Sequence, residues 1–271
     1  MRYGFVLPTG DARVAADYAR LAEQAGWDGF FVWEPVWGID AWVSLTAAAM
    51  TTERIRLGTL LSPLPIMRPW KLASETVTLD HLSGGRVILA VGLGAPDTGF
   101  AAFGEVTDRK TRAELLDEGL DVLTGLWRGQ PFSYQGKHYQ LSPTEFSPPP
   151  PPLQQPRIPI WVVGAWPYPR SMRRALRFDG ILPSVLDENG ARNANLDELR
   201  AIRDYVREQR GDEPFDIVVE GTTPGDDPLR AAEQTGAWQE AGATWWIEAM
   251  WETPQLDAVR RRIEQGPPRV G

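Results

Sequence analysis

The feature that most constrains this chain is a rhythm. Eight short apolar runs, "RYGFVLP", "DGFFVWE", "IRLGTLLSP", "RVILAVGLG", "IPIWVVG", "GILPSV", "FDIVVEG" and "TWWIEAM", each precede a stretch with helical spacing. Short continuous apolar runs fit strands covered on both faces, and apolar side chains three and four apart mark one buried helix face. The first helix is expected over about 11–25, with Val14, Tyr18, Ala22 and Ala25 inward and Gly26 as its stop. Asp40 reads as the N-cap of a second helix carrying Trp42, Leu45 and Ala49. A third starts at Pro69, presents Leu72, Thr76 and Leu79, and ends at "SGG". Further helices are expected around 170–178, 195–210, 228–241 and 255–265. Eight strand–helix units with no second sheet left over predict an α/β fold, the (β/α)8 (TIM) barrel. A doubly wound sheet is the alternative. The 271 residues suit one barrel and are read as one domain, 1–271.

Residues 95–157 interrupt the rhythm between the fourth and fifth strands. They hold a helix from about Asp108 to Trp127, with Leu116, Leu120, Leu123 and Trp127 on its buried stripe. "FSYQGKHYQL" alternates around Gly136 like a hairpin. "SPPPPPLQQPRIP" then makes a stiff extended connection, with an SH3-type ligand as the other reading of its prolines.

The formal net charge of −8 argues against nucleic-acid or anionic-membrane partners, which need clustered Lys and Arg. No leader-like opening and no run of membrane-spanning length point to a cytoplasmic protein. The absence of cysteine excludes disulfides, thiolate metal sites and thiol nucleophiles. The two histidines, His81 late in a helix and His138 on the expected solvent side of the hairpin, are too scattered for a metal site, and none is expected. Twelve tryptophans are first core side chains; as a set they point to an aromatic-lined pocket.

A barrel carries its site at the carboxyl ends of its strands. There the sequence places Trp33, Glu34 and Trp37, then Leu60, Leu61, Ser62 and Pro63, then Gly92, Leu93 and Gly94. Gly164, Ala165 and Trp166 follow, then Glu220 and Gly221, and Glu248 and Trp251. This mouth is aromatic, glycine-containing and poor in nucleophiles, which suits a flat conjugated ligand. "VGLGAPD" has two glycines of a dinucleotide finger, but its third position is Asp97 after Pro96 and no helix opens there. Glu34, Glu220 and Glu248 could supply the carboxylate pair of a glycoside hydrolase; the plainer reading is strand-end acids that pair with arginine or cap helices. In "WVVGAWPYPRSMRRALRFDG", a helix beginning near Pro169 with Arg170, Arg173 and Arg174 could bind a phosphate, or simply present a solvated face.

Taken in order, "YGFVLP", "LAEQAGWDGFFVWE", "IRLGTLLSPLPIMRPWKLASETVTLDHLSGGRVILAVGLG", "RAELLDEGLDVLTGLWRGQPFSYQGKHYQL" and "IPIWVVGAWPYPRSMRRALRFDG" resemble the bacterial luciferase-like monooxygenases, a family that uses flavin or deazaflavin. The resemblance implies a barrel binding FMN, or alternatively coenzyme F420, at the strand carboxyl ends. It implies a non-proline cis peptide at Leu60–Leu61 under the ring, Gly92, Leu93 and Gly94 at the cofactor's edge, and Val163, Gly164, Ala165 and Trp166 near its phosphate, beside the Arg170 of the phosphate reading above. Trp33, Trp37, Glu220, Glu248 and Trp251 would line the substrate pocket. Many relatives carry a histidine after the second strand; here the loop reads "WEPVWGID", which leaves Glu34, Asp40 and Arg68 as candidates for acid–base work. The expected activity is a monooxygenase using reduced FMN and O₂ on a small, largely apolar organic substrate, with an F420-dependent reductase or dehydrogenase as the alternative. A carboxylate-based hydrolase and a non-catalytic flavin binder are the more distant readings. A homodimer, and under the FMN reading a separate flavin reductase, are the partners the resemblance implies.

Overall fold

The computed structural model describes residues 1–144, 150–187 and 190–269. In chain order its elements are β1 (Arg2–Leu7), α1 (Ala12–Gln24), β2 (Gly29–Val32), α2 (Ala41–Ala49), β3 (Arg56–Ser62), α3 (Pro69–Ser83), β4 (Val87–Val91) and α4 (Arg109–Arg128). Then come β5 (Phe132–Gln135), β6 (Gln140–Thr144), β7 (Ile160–Trp166), α5 (Pro169–Ala175), β8 (Gly180–Asp187) and β9 (Gly190–Asn193). The chain ends with α6 (Leu196–Arg210), β10 (Asp216–Gly221), α7 (Pro228–Ala241), β11 (Trp245–Ala249) and α8 (Leu256–Glu264). β1, β2, β3, β4, β7, β8, β10 and β11 pair in parallel, and β11 returns to β1, so the eight strands close into the expected (β/α)8 barrel. Closure leaves no open edge in the ring.

Local chemistry starts and stops the helices where the sequence indicates. The Asp11 carboxylate accepts from Arg13 N and Val14 N at 2.9 Å, and Asp40 accepts from Val43 N at 2.8 Å. Asn195 and Glu198 form a reciprocal capping box on α6. Gly84 closes α3 at φ 69°, the left-handed conformation that a side chain disfavours.

Alternation along the strands divides the core in two. Phe5, Phe30, Leu57, Leu89, Val162 and Trp246 face the helix layer, while Phe31, Ile88, Trp161, Val218, Trp245 and Ile247 face the barrel axis. Phe31, Trp161 and Trp245 pack their rings with centroids 5.2–6.0 Å apart. Glycines make room for them: a Cβ on Gly4 would stand 2.7 Å from both Ile247 Cδ1 and Phe31 Cε2. Trp161 and Trp245 sit at the amino ends of their strands, so this plug fills the lower barrel and leaves open volume at the carboxyl ends.

The excursion between β4 and β7 wraps the barrel's flank. α4 buries Leu116, Leu120, Leu123 and Trp127 as its spacing predicts. The β5–β6 hairpin is pinned to α4 by the Glu118 carboxylate, which accepts from the backbone N–H groups of Lys137, His138 and Tyr139 at 2.8–2.9 Å. The His138 ring meets Glu114 Oε2 at 2.9 Å and is largely covered, so it turns onto α4 and away from solvent, contrary to the sequence expectation. His81 Nε2 lies 2.8 Å from the Pro151 carbonyl, to which its N–H donates. Of the proline-rich connection, residues 145–149 fall outside the described residues. Its later part is held where the buried Asp80 carboxylate accepts from Leu153 N and Gln154 N. β9, antiparallel to β8, was not expected. Among the described residues, no helix is long and apolar enough to cross a membrane.

Candidate functional site

A cavity of about 500 Å³ opens at the carboxyl ends of the strands. Leu60, Leu61, Val163, Val218 and Ile247 line it with apolar side chains, together with Trp251. Ser184, Asn193, Glu220 and Gln234 from β8, β9, β10 and α7 supply its polar lining. The Leu60–Leu61 peptide is cis, as the resemblance implies, and the β3–β4 register shifts between Thr59 and Ser62 around it. Gly92 backs this wall. A Cβ there would stand 2.9 Å from Leu61 Cδ2 and from Val163 Cγ2, so the glycine lets β3 and β7 side chains close up. Gly94, at φ 73°, is crowded by Phe100 and Pro63. Both backbone carbonyls that follow Gly92, those of Leu93 and Gly94, accept from Arg112 Nη1 at 2.9 and 3.0 Å. The buried Arg112 therefore fixes the turn after β4, a role the sequence reading missed because it looks like one more cation in a charged first turn.

Of the three strand-end acids, only Glu220 lines the cavity. Burial raises its pKa, opposed by hydrogen bonds with Trp251 and Asn193. Glu248 is fully buried and faces the helix layer: it accepts from Thr223 N (2.8 Å), Thr223 Oγ1 (2.7 Å), Trp246 Nε1 (3.2 Å) and Arg262 Nε (3.1 Å). Its expected place in the substrate pocket does not hold; it is the arginine-paired acid of the plainer reading. Glu34 stands behind the bulge. Its backbone N–H donates to the Leu61 carbonyl at 3.3 Å, and its Oε2 lies 2.6 Å from Ser62 Oγ. Ser62 Oγ is 3.1 Å from Thr59 Oγ1, which reaches the Ala90 carbonyl at 3.2 Å. Burial pushes the Glu34 pKa up to about 7; the Ser62 hydrogen bond opposes this, and the Glu75 and Asp40 carboxylates add to it. The Trp42 indole N–H, which makes no hydrogen bond of normal geometry, opposes it slightly. A protonated Glu34 fits the chain well. Its O–H can donate to Ser62, Ser62 to Thr59, and Thr59 to the carbonyl, one proton per link.

The remaining candidates separate. Asp40 is spent as the α2 cap, and Arg68 is exposed with its guanidinium over Trp70. Neither lines the cavity, and the two-carboxylate hydrolase loses its pair because Glu220 stands there alone. Trp33 and Trp251 meet edge-on at 6.5 Å, at the border between the cavity and a smaller one of about 160 Å³ that Trp33 and Trp37 line.

A second depression, about 590 Å³, lies between α4 and α5. Leu93 lines it, one residue from Gly92, together with Tyr168, Arg109, Lys110, Arg170 and Arg173. Arg174, expected at a phosphate, is instead buried and paired bidentately with Asp117 at 2.5 and 2.9 Å. Arg177 pairs with Asp121. Arg109, Lys110, Arg170 and Arg173 have no acid partner among the described residues. Gly164 and Ala165 pack beneath α5: a Gly164 Cβ would meet Ile181 at 2.3 Å, and Ala165 N donates to Ser171 Oγ at 2.9 Å. The Trp166 ring turns to Tyr205, 5.7 Å away.

The sequence profile of the luciferase-like monooxygenases matches residues 1–266. The chain belongs to that family. An uncharacterized protein of Mycobacterium tuberculosis is 36% identical over 191 residues, 61% of this chain and 65% of the relative. A putative coenzyme F420-dependent oxidoreductase of the same organism is 35% identical over 148 residues, 52% of this chain and 41% of the relative. The matches thus span less than two thirds of these relatives' length. Among solved structures, the coenzyme F420-dependent tetrahydromethanopterin reductase of Methanopyrus kandleri superposes with a TM-score of 0.79 at 16% identity, covering 97% of this chain and 96% of that one. The FMN-bound oxygenating constituent of 3,6-diketocamphane monooxygenase from Pseudomonas putida gives 0.74 at 19% identity, covering 100% and 99%. At these identities the likeness is one of fold.

Proposed function

We propose that this member of the family is an oxidoreductase that holds a deazaflavin of the F420 type in the cavity and the adjoining basic groove. Such a cofactor supplies a two-electron, hydride-level redox centre when bound. The residues fit it. Leu60, Leu61 and Val163, closed up against Gly92, give a flat apolar wall for a conjugated ring. Arg109, Lys110, Arg170 and Arg173 offer charge to an anionic side chain.

The observation that carries the choice of cofactor is this set of four cations, none of which has an acid partner among the described residues. FMN, the preference from sequence, ends in one phosphate, whereas F420 carries a phosphodiester and a carboxylate-rich tail. A charged groove of this size is better matched to the longer polyanion. The mycobacterial relative named for coenzyme F420 supports the same reading. Trp251 and Trp33 shield the mouth, Glu34 braces the bulge from behind, and Glu220 is the one acid among the described residues that line the main cavity.

The test is the double variant Arg109→Ser/Arg170→Ser. It is expected to weaken F420 binding about tenfold, the equivalent of 1.4 kcal/mol, and to reduce the salt dependence of that binding. Unchanged F420 affinity and salt slope would remove the groove from the cofactor site.

A further inference from the structure

The main cavity has an unusual charge inventory. Among the described residues that line it there is no Lys, Arg or His, and Glu220 is the sole ionisable group. A substrate carboxylate or phosphate would find no counter-charge there. It would also face the Glu220 carboxyl, which no cation in the cavity lining offsets. The other polar residues that line the cavity, Ser184, Asn193 and Gln234 besides the tryptophans, are uncharged. Gln234 is partly committed, since its Nε2 donates to the Thr222 carbonyl at 3.0 Å.

We infer that Glu220 is the substrate-contacting acid of this cavity, and that the substrate is a small neutral molecule whose carbonyl-type oxygen accepts a hydrogen bond from the Glu220 carboxyl. The reading rests on the proposed oxidoreductase function for its chemical purpose, but the binding site stands on the cavity itself. Three observations support it. Glu220 sits at the carboxyl end of β10, where barrel chemistry is placed, and Leu61 and Val163, the proposed ring wall, border the same space. Its neighbours in the cavity lining, Trp251 and Asn193, carry no charge that would neutralise it. Charged groups on the adjoining elements are directed elsewhere. Arg192 on β9 pairs with Asp187 on β8 and with Glu198 on α6, and Glu248 on β11 pairs with Arg262 on α8. Burial thus acts on Glu220 without an opposing cation and keeps the proton on it above the ordinary carboxylate range.

The chemistry balances. When hydride from the reduced deazaflavin-class donor reaches the carbonyl carbon, the C=O π pair moves to oxygen, and that oxygen takes the proton from Glu220. An alcohol results, the donor is left oxidised by two electrons, and the Glu220 carboxylate regains a proton from solvent. The pairing of a hydride donor with one neutral acid is what reduction of a polar double bond requires.

The experiment uses the full chain without cofactor, with cyclohexanone and cyclohexanecarboxylate as probes and quenching of tryptophan fluorescence as the readout. Cyclohexanone is expected to bind about tenfold more tightly in mildly acidic than in alkaline buffer, because only the protonated carboxyl donates. Glu220→Gln, whose amide N–H replaces the donor, is expected to bind it with no pH dependence, and Glu220→Leu to bind it at least tenfold more weakly at acid pH. Cyclohexanecarboxylate is expected not to compete. Circular dichroism melting of both variants checks that they fold. A pH dependence that survives in Glu220→Gln, full binding in Glu220→Leu, or equal binding of the carboxylate overturns the inference, as does a failure of cyclohexanone to bind at all. Because no cofactor is present, loss of F420 binding in a separate titration would strike the proposed function and leave this result standing.

Discussion

Replacing Glu34 with glutamine should make the protein more stable at alkaline pH and leave it unchanged in acid. The carboxyl is held behind the Leu60–Leu61 bulge, 2.6 Å from Ser62 Oγ, with its pKa raised from 4.5 to about 7 mainly by burial. In the unfolded chain the same group ionises near 4.5. Below that value both states are protonated and the residue contributes no pH dependence. Between about 4.5 and 7 the unfolded state loses its proton while the folded state keeps it, so stability falls as pH rises. Above about 7 both are ionised and the loss is complete. At 1.36 kcal/mol per pH unit the full loss is about 3 kcal/mol. The glutamine amide N–H replaces the O–H that donates to Ser62 and has no charge to bury, so Glu34→Gln should gain about 3 kcal/mol over the parent above neutrality and nothing near pH 4. Urea unfolding of both proteins at several pH values measures this directly. A constant difference across the range, or a parent protein that gains stability between pH 5 and 8, would refute the assignment of a buried, protonated Glu34.

Three further outcomes separate structural from functional residues. Glu248→Ala leaves the buried Arg262 guanidinium without its acid and should cost about 3–5 kcal/mol in urea unfolding, while F420 affinity of the folded protein stays unchanged. Gly92→Ala brings a methyl to 2.9 Å from the flexible ends of Leu61 and Val163; it should cost only about 1–3 kcal/mol in stability but push both side chains into the cavity and weaken cofactor binding, read by fluorescence titration. Arg174→Ala should lower the melting temperature by uncoupling α5 from Asp117 on α4, with a smaller effect on the salt dependence of F420 binding than Arg109→Ser/Arg170→Ser has.

Much of the fold is legible because the barrel repeats one physical rule. Each parallel strand is covered on both faces, so its run is apolar throughout, and each helix begins at a residue whose chemistry announces it, as at Asp11, Asp40, Pro69 and Asn195. β9 was hidden because "GARN" has no apolar alternation; all four of its residues are exposed, and it is held by pairing with β8 and by the Arg192–Glu198 ion pair to α6. That strand matters, since it delivers Asn193 to the cavity. The candidate site was legible as positions along the chain but not as directions. Glu220 and Glu248 stand at equivalent strand ends, yet one faces the cavity and the other the helix layer, and which way each turns depends on register set by neighbouring strands. Arginines were the least readable. Arg112 and Arg174 are buried tethers, whereas Arg109, Arg170 and Arg173, close to them in sequence, remain exposed. Only the packing of α4 on α5 tells them apart.

The most direct test of the account is a pair of fluorescence titrations of the apo-protein, one with F420 and one with FMN, each at low and at raised salt. The account predicts saturable F420 binding in the micromolar range or tighter, weakened by salt, with FMN binding more weakly and depending less on salt. Tighter binding of FMN, or no saturable binding of F420, would contradict it.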